Sequence, residues 1–125
     1  MKIGIFLLPM ILVAVSPLPS QQPKASKVDF VRDIEPILTK NCVSCHQAAW
    51  AGGGLRLDSF EGLQHGGTSG KAVVPGNAQQ SLLVARMESS DTKCMPPKER
   101  LTKDQIALVK TWITEGAKLS GPEKR

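Results

Sequence analysis

Cys42, Cys45 and His46 concentrate more chemistry than any other short stretch of this chain. In Cys42-Val43-Ser44-Cys45-His46, two thiols are spaced by two residues on a tight helical turn, and an imidazole follows at once. Each thiol can add to one vinyl group of the same porphyrin, and the imidazole then points at the iron as the proximal axial ligand. The pattern reads as a covalent haem attachment site. Short cysteine motifs also serve zinc sites and thiol redox centres. A zinc site would need two more good ligands, and only Cys94 and His65 remain to supply a thiol or an imidazole. A thioredoxin-like dithiol would need alternating strands and helices, which the pattern lacks.

A haem held this way needs a donor on its other face, a soft neutral sulfur or a second imidazole. Met95 is the strongest candidate, because Pro96-Pro97 cut the freedom of the loop that carries it and lower the entropic cost of holding a thioether in place. Met87 falls within a helical stretch with its own apolar face and fits ordinary core filling. His65 sits among glycines and polar residues, as a surface loop does. A His/Met pair stabilises reduced iron and raises the potential relative to two imidazoles.

Several elements must position these groups. The pattern predicts a helix from about Asp29 to Thr39, with Asp29 as N-cap and Phe30, Ile34, Ile37 and Leu38 on one apolar face. Pro36 is awkward there, since it lacks a backbone donor and can kink a helix. Gln47 to Gly54 reads as a loop, Leu55-Arg56-Leu57 as a short extended segment, and Ser59 to Leu63 as a turn or two of helix. Val73 to Asn77 reads as an extended segment entering a turn, and a further helix covers about Gln79 to Met87. The last helix is the clearest. Thr102-Lys103-Asp104-Gln105 fits a capping box, Ile106, Val109, Trp112 and Ile113 form one stripe, and Gly116 ends it.

With 125 residues, the chain can hold one domain. Met1-Lys2 followed by an apolar run over 3–15 reads as a secretory signal peptide at 1–20, too short to span a bilayer, which takes about 20 apolar residues. The alternative is an uncleaved N-terminal anchor. A polar linker over 21–27, a folded domain at 28–118 and a tail at 119–125 complete the expected organisation. The net charge of +5 is spread along the chain, without the basic run and interleaved aromatics of a nucleic-acid binder. It can equally be a solvated surface or a mildly basic face that steers acidic partners. Cys94 is left over once Cys42 and Cys45 form thioethers.

From about Val28 to Ala117 the chain resembles a class I cytochrome c, and specifically the planctomycete-type cytochrome c domain. The stretches that carry the resemblance are Val28-Asp29-Phe30 with Ile34-Glu35-Pro36-Ile37-Leu38, Cys42 to His46, Gly53-Gly54-Leu55-Arg56-Leu57-Asp58, Val73-Val74-Pro75-Gly76, Ser81-Leu82-Leu83, Met95-Pro96-Pro97-Lys98, and Leu101-Thr102 with Ile106 and Trp112-Ile113. The resemblance implies an all-α, single-haem fold in which the N- and C-terminal helices pack together with Phe30 and Trp112 at the crossing. It also implies His46 as proximal and Met95 as distal ligand, and it accommodates Pro36. Cys94 departs from the family pattern. Its plain reading is a semi-buried small apolar residue, and its sharper one is a thiol able to form an intermolecular disulfide or to replace Met95 on oxidised iron.

Buried haem propionates need positive partners, for which Arg56 is the better candidate and Lys71 the weaker. Leu57, Leu82, Leu83 and Ile106 are candidate haem-wall residues. The expected function is transfer of single electrons by an exported, periplasmic, monomeric carrier with one covalent haem c. Its partners would be redox proteins, with no nucleic acid and no membrane span after signal cleavage. With both axial positions filled, no substrate reaches the iron, so the chain is expected not to be an enzyme. The alternative is a ligand-binding, sensing or peroxidase-like haem protein with a labile sixth ligand.

Overall fold

Asp29 starts the folded region by capping. In the computed structural model, which describes Met1, Gly4 and residues 27–119, its side chain accepts from the Arg32 N–H at 2.8 Å, and its own N–H donates to Asp33 Oδ2 at 2.8 Å. Apart from Met1 and Gly4, the expected signal peptide lies outside the described residues, as do most of the linker and of the tail. The first helical segment is wound in two gauges. Phe30–Ile34 takes the wide π spacing, closed by the Glu35 N–H on the Phe30 carbonyl, and helix α1 (Glu35–Asn41) continues from it. The change of gauge falls between Ile34 and Glu35, just before Pro36. The proline lands in the first turn of α1, where a missing donor costs nothing.

Helix α2 (Phe60–His65) is capped by Ser59, whose side chain accepts from the Gly62 N–H, and α3 (Leu82–Glu88) follows Ser81. Ser81 is fully buried and still satisfied. Its hydroxyl donates to the Asn77 carbonyl at 2.8 Å and accepts from the Val74 N–H at 2.9 Å, so it closes the extended segment before α3. Helix α4 (Lys103–Thr114) opens on the reciprocal capping box read from the sequence. Thr102 Oγ1 accepts from the Gln105 N–H at 3.2 Å and Gln105 Oε1 from the Thr102 N–H at 3.0 Å. Gly116, at φ 109°, turns the chain off its end.

The core lies where α4 meets the N-terminal segment. The Phe30 ring lies 5.1 Å from Phe60 and 5.3 Å from Trp112, centroid to centroid, and Phe60 approaches Trp112 edge-on at 6.5 Å. Trp112 is buried, and its indole N–H donates to the Lys118 carbonyl at 3.0 Å. Ile34, Leu38, Leu63, Val109 and Ile113 fill in around the rings.

The all-α expectation needs correcting. After His46 the chain reverses through Ala48-Ala49 and pairs back on itself, giving a two-stranded antiparallel sheet of β1 (His46–Gln47) and β2 (Trp50–Ala51). His46 stands opposite Ala51 and Gln47 opposite Trp50. The segment lacks the alternation of a buried strand because it is too short and too exposed to show any.

Candidate functional site

A cavity of about 600 Å³ opens beside this hairpin, and Phe30, Phe60 and Trp112 are not among its lining residues. Cys42, Cys45 and His46 line one part of its wall, and Met87, Met95, Pro96 and Pro97 line another. Leu55, Leu57, Ala72, Leu82 and Leu83 supply apolar surface between them. The volume falls within the range typical of cofactor sites.

The cysteine motif is held as a continuation of α1. The Cys42 and Val43 N–H groups donate to the Leu38 carbonyl at 2.8 and 3.1 Å, and those of Cys45 and His46 donate to the Cys42 carbonyl at 3.2 and 3.1 Å. The turn brings both thiols and the imidazole to the same cavity. Burial pushes the Cys42 thiol up to about 11, so it stands as a neutral thiol at physiological pH. A redox dithiol needs the opposite tuning, toward thiolate. Among the described residues, no three His, Cys, Asp or Glu side chains converge as a metal-binding group.

His46 is fixed at both ends. Its carbonyl accepts from the Leu57 N–H at 2.7 Å, and its Nδ1 lies 3.2 Å from the Leu55 carbonyl oxygen. A carbonyl can only accept, so this contact assigns the ring proton to Nδ1 and leaves the Nε2 lone pair available to a metal. Glycines make the arrangement possible. A Cβ on Gly52 would lie 3.3 Å from His46 Cε1, and one on Gly67 would lie 2.7 Å from the Gly53 carbonyl. Thr68 braces the same strip, its N–H and hydroxyl both donating to the Gly53 carbonyl at 2.8 and 3.0 Å. The loop at 66–70 therefore presses on residues 53–55, which carry the carbonyl that orients His46.

On the other wall, the Met95 N–H donates to the Arg86 carbonyl at 3.0 Å, tying the proline-stiffened loop to the last turn of α3. Met95 is 41% exposed, whereas Met87 belongs to the packed core as well as to the cavity wall. His65 is exposed and lines a separate polar depression with Ser59 and Glu61.

Other sequence-predicted residues divide. Leu57, Leu82 and Leu83 line the cavity, and Ile106 does not. Arg56 is also outside it. Its guanidinium pairs with Asp58 at 3.1 Å, and Asp58 accepts from the Ala48 N–H at 3.2 Å, so this pair buttresses the hairpin turn from solvent. The Arg56 guanidinium and the Ala48 N–H hold the Asp58 carboxyl below its usual range. Lys71 donates to the Gln64 carbonyl at 3.2 Å, away from the cavity wall. Cys94 is buried and does not line the cavity. Among the lining residues that escaped the sequence reading are Trp50, 71% exposed, Arg86 and Lys93. Leu82, Leu83, Arg86 and Met87 share one helix face, so helical spacing alone could have found Arg86.

Residues 42–99 match the family model described as Planctomycete cytochrome C. This segment is a planctomycete-type cytochrome c domain. Over that segment the match points to a haem-binding cytochrome, of a family that carries haem c covalently. A relative is hydrazine synthase subunit alpha of Kuenenia stuttgartiensis, 32% identical over 135 residues. The aligned region covers 80% of this chain and 17% of that subunit. No solved structure matches the chain. Cytochrome c domains are typically extracytoplasmic, and among the described residues no helix is long and apolar enough to cross a membrane.

The residues around the cavity suit a haem. Two thiols and a correctly tautomerised imidazole stand on one wall, a thioether on another, and apolar surface lies between. Arg86 and Lys93 are cationic, and no Asp or Glu lines the cavity among the described residues. A flat apolar ligand that carries two carboxylates meets its complement there.

Proposed function

We propose that this domain is an electron carrier with one covalent haem, and that it does not itself act as an enzyme. The observation that carries the reading is the His46–Leu55 contact, which leaves Nε2 free to ligate within a cavity that Cys42, Cys45 and Met95 also line. When bound, the haem supplies one-electron chemistry between ferric and ferrous iron. Cys42 and Cys45 would hold it through thioethers, and His46 Nε2 and Met95 Sδ would be the donors to its iron. The Leu55 carbonyl keeps the imidazole in one tautomer and orientation. Leu57, Leu82 and Leu83 exclude water, which favours the less charged, reduced state. Trp50, exposed among the lining residues, would stand where a redox partner can approach. Export of the chain to the periplasm or an equivalent compartment belongs to this reading, supported by Met1-Lys2 and the apolar run after it.

A second reading has one observation in its favour. Met95 is 41% exposed, as a labile ligand would be, and a labile sixth position would suit sensing or catalysis within a larger assembly. That the relative in Kuenenia stuttgartiensis is named as a subunit of an enzyme fits this too. Carbon monoxide separates the two. Under the carrier reading, the reduced protein binds it slowly or not at all, and Met95→Ala makes binding fast. Fast binding to the unaltered protein would establish an open or labile site instead.

A further inference from the structure

The cavity contains a charge pattern that haem attachment and axial ligation do not use. Leaving His46 aside, its charged lining residues are Arg86 and Lys93, and both are cations. Arg86 is half-buried on α3 and Lys93 is exposed in the loop that leads to Met95. The exposed Arg56 is committed to Asp58 outside the cavity. A half-buried guanidinium on a mostly apolar wall is costly unless an anion meets it. Asp91 lies close enough for the charges of Lys93 and Arg86 to lower its carboxyl, but it does not line the wall, and no other carboxylate of the described protein does.

We propose that Arg86 is the principal partner of the haem propionates, with Lys93 as the outer, solvent-facing one. This rests on the haem reading above and specifies which cations complete it. The guanidinium is the better partner of the two because it can donate two parallel hydrogen bonds to a carboxylate and cannot lose its charge. Arg86 also has a second role through its backbone, since its carbonyl receives the Met95 N–H at 3.0 Å. The last turn of α3 thus ties the anionic edge of the haem to the loop that carries the sixth ligand. The electrostatic consequence has a definite sign. A cation near the iron favours the reduced, less positive state, so its removal lowers the potential.

The test is an optical redox titration of haem-loaded protein for the unaltered chain, R86Q, R86K and R56Q, with the ferric methionine-to-iron charge-transfer band recorded for each. R86Q is expected to weaken reduction about tenfold, about 59 mV for a one-electron couple, while the band persists. R86K is expected to recover most of the shift, and R56Q to move the potential much less than R86Q. A shift in R56Q equal to that in R86Q would overturn the assignment. So would a shift in R86Q that appears only together with loss of the charge-transfer band, because ligand loss would then be the cause. If R86Q fails to mature with haem but R86K matures normally, the need for a cation stands. If both fail, the contact is structural and the proposal falls. Absence of covalent haem from the unaltered chain would instead refute the haem reading itself, a separate result.

Discussion

The two sides of this small domain bury apolar surface in opposite ways. On the aromatic side, Phe30, Phe60 and Trp112 close on one another within 6.5 Å, and the flanking helix ends are capped by side chains. On the hairpin side, leucines, methionines and glycines face a cavity of about 600 Å³, held open by backbone contacts among loops. The aromatic side obtains its stability from contacts within the chain. The hairpin side positions donors along an apolar wall whose Leu57, Ala72, Leu83 and Met87 also belong to the packed core. The low aromatic content has its explanation here. Three of the five Phe and Trp side chains pack at the crossing, and a fourth, Trp50, stands at the cavity rim.

The comparison can be broken most severely at Trp112. Trp112→Ala removes a buried ring from the aromatic cluster and its hydrogen bond to Lys118, and is expected to cost about 3–5 kcal/mol. Urea unfolding followed by far-UV circular dichroism measures this. A loss below about 1 kcal/mol would mean that the crossing is not the centre of stability. Gly66→Ala attacks the other side. Gly66 has a φ of 83°, and an added Cβ would lie 2.5 Å from the Gly70 carbonyl oxygen, so the 66–70 loop must shift. The expected cost is about 1–3 kcal/mol, with a disturbed His46 signature in the ferric electron paramagnetic resonance spectrum. An unchanged spectrum would show that the loop does not brace the imidazole.

Thr102→Ala sharpens the contrast with a smaller effect. It deletes one half of the α4 capping box and should cost about 1 kcal/mol without moving the reduction potential. A shift in potential would show that the two sides are more strongly coupled than this account holds.

The smallest expected effect is in acid. Arg32 and the Asp29 N–H depress the Asp33 carboxyl below its usual range, and Arg56 does the same for Asp58 on the hairpin side. A carboxyl depressed on folding contributes stability above its unfolded value, near pH 4, and loses it as pH falls through the folded one. Both pairs are exposed, so each contribution is slight. Asp33→Asn and Asp58→Asn should each flatten the acid limb of a stability-against-pH curve slightly and leave the region above pH 5 sloping as before. A change in slope at neutral pH would contradict the assignment.

What the sequence disclosed follows the same division. Local rules read the helix ends well. The Asp29 cap, the Thr102–Gln105 box and the Gly116 stop depend on residues a few positions apart, and all three are in the structure. Pro36 looked like a defect because helix rules assume a single winding, and the π turn before it removes the conflict. The hairpin at His46–Ala51 was hidden, since two-residue strands carry no periodic signal. Arg56 was attractive because leucines flank it, but in an extended segment alternate side chains face opposite ways. Leu57 faces the cavity and Arg56 faces Asp58. Arg86 shares a helix face with Leu82, Leu83 and Met87, so spacing ties it to them, but that this face meets the cysteine turn across one cavity has no local signature.

The central claim is that Cys42, Cys45, His46 and Met95 together hold one closed, six-coordinate haem. An absorption spectrum of the chain matured in a haem-attaching host, recorded with and without reductant and again after acid–acetone extraction, tests it most directly. The account predicts haem that resists extraction, a low-spin reduced spectrum, and a ferric methionine-to-iron charge-transfer band. Haem that extracts freely, or a high-spin spectrum without that band, would contradict it.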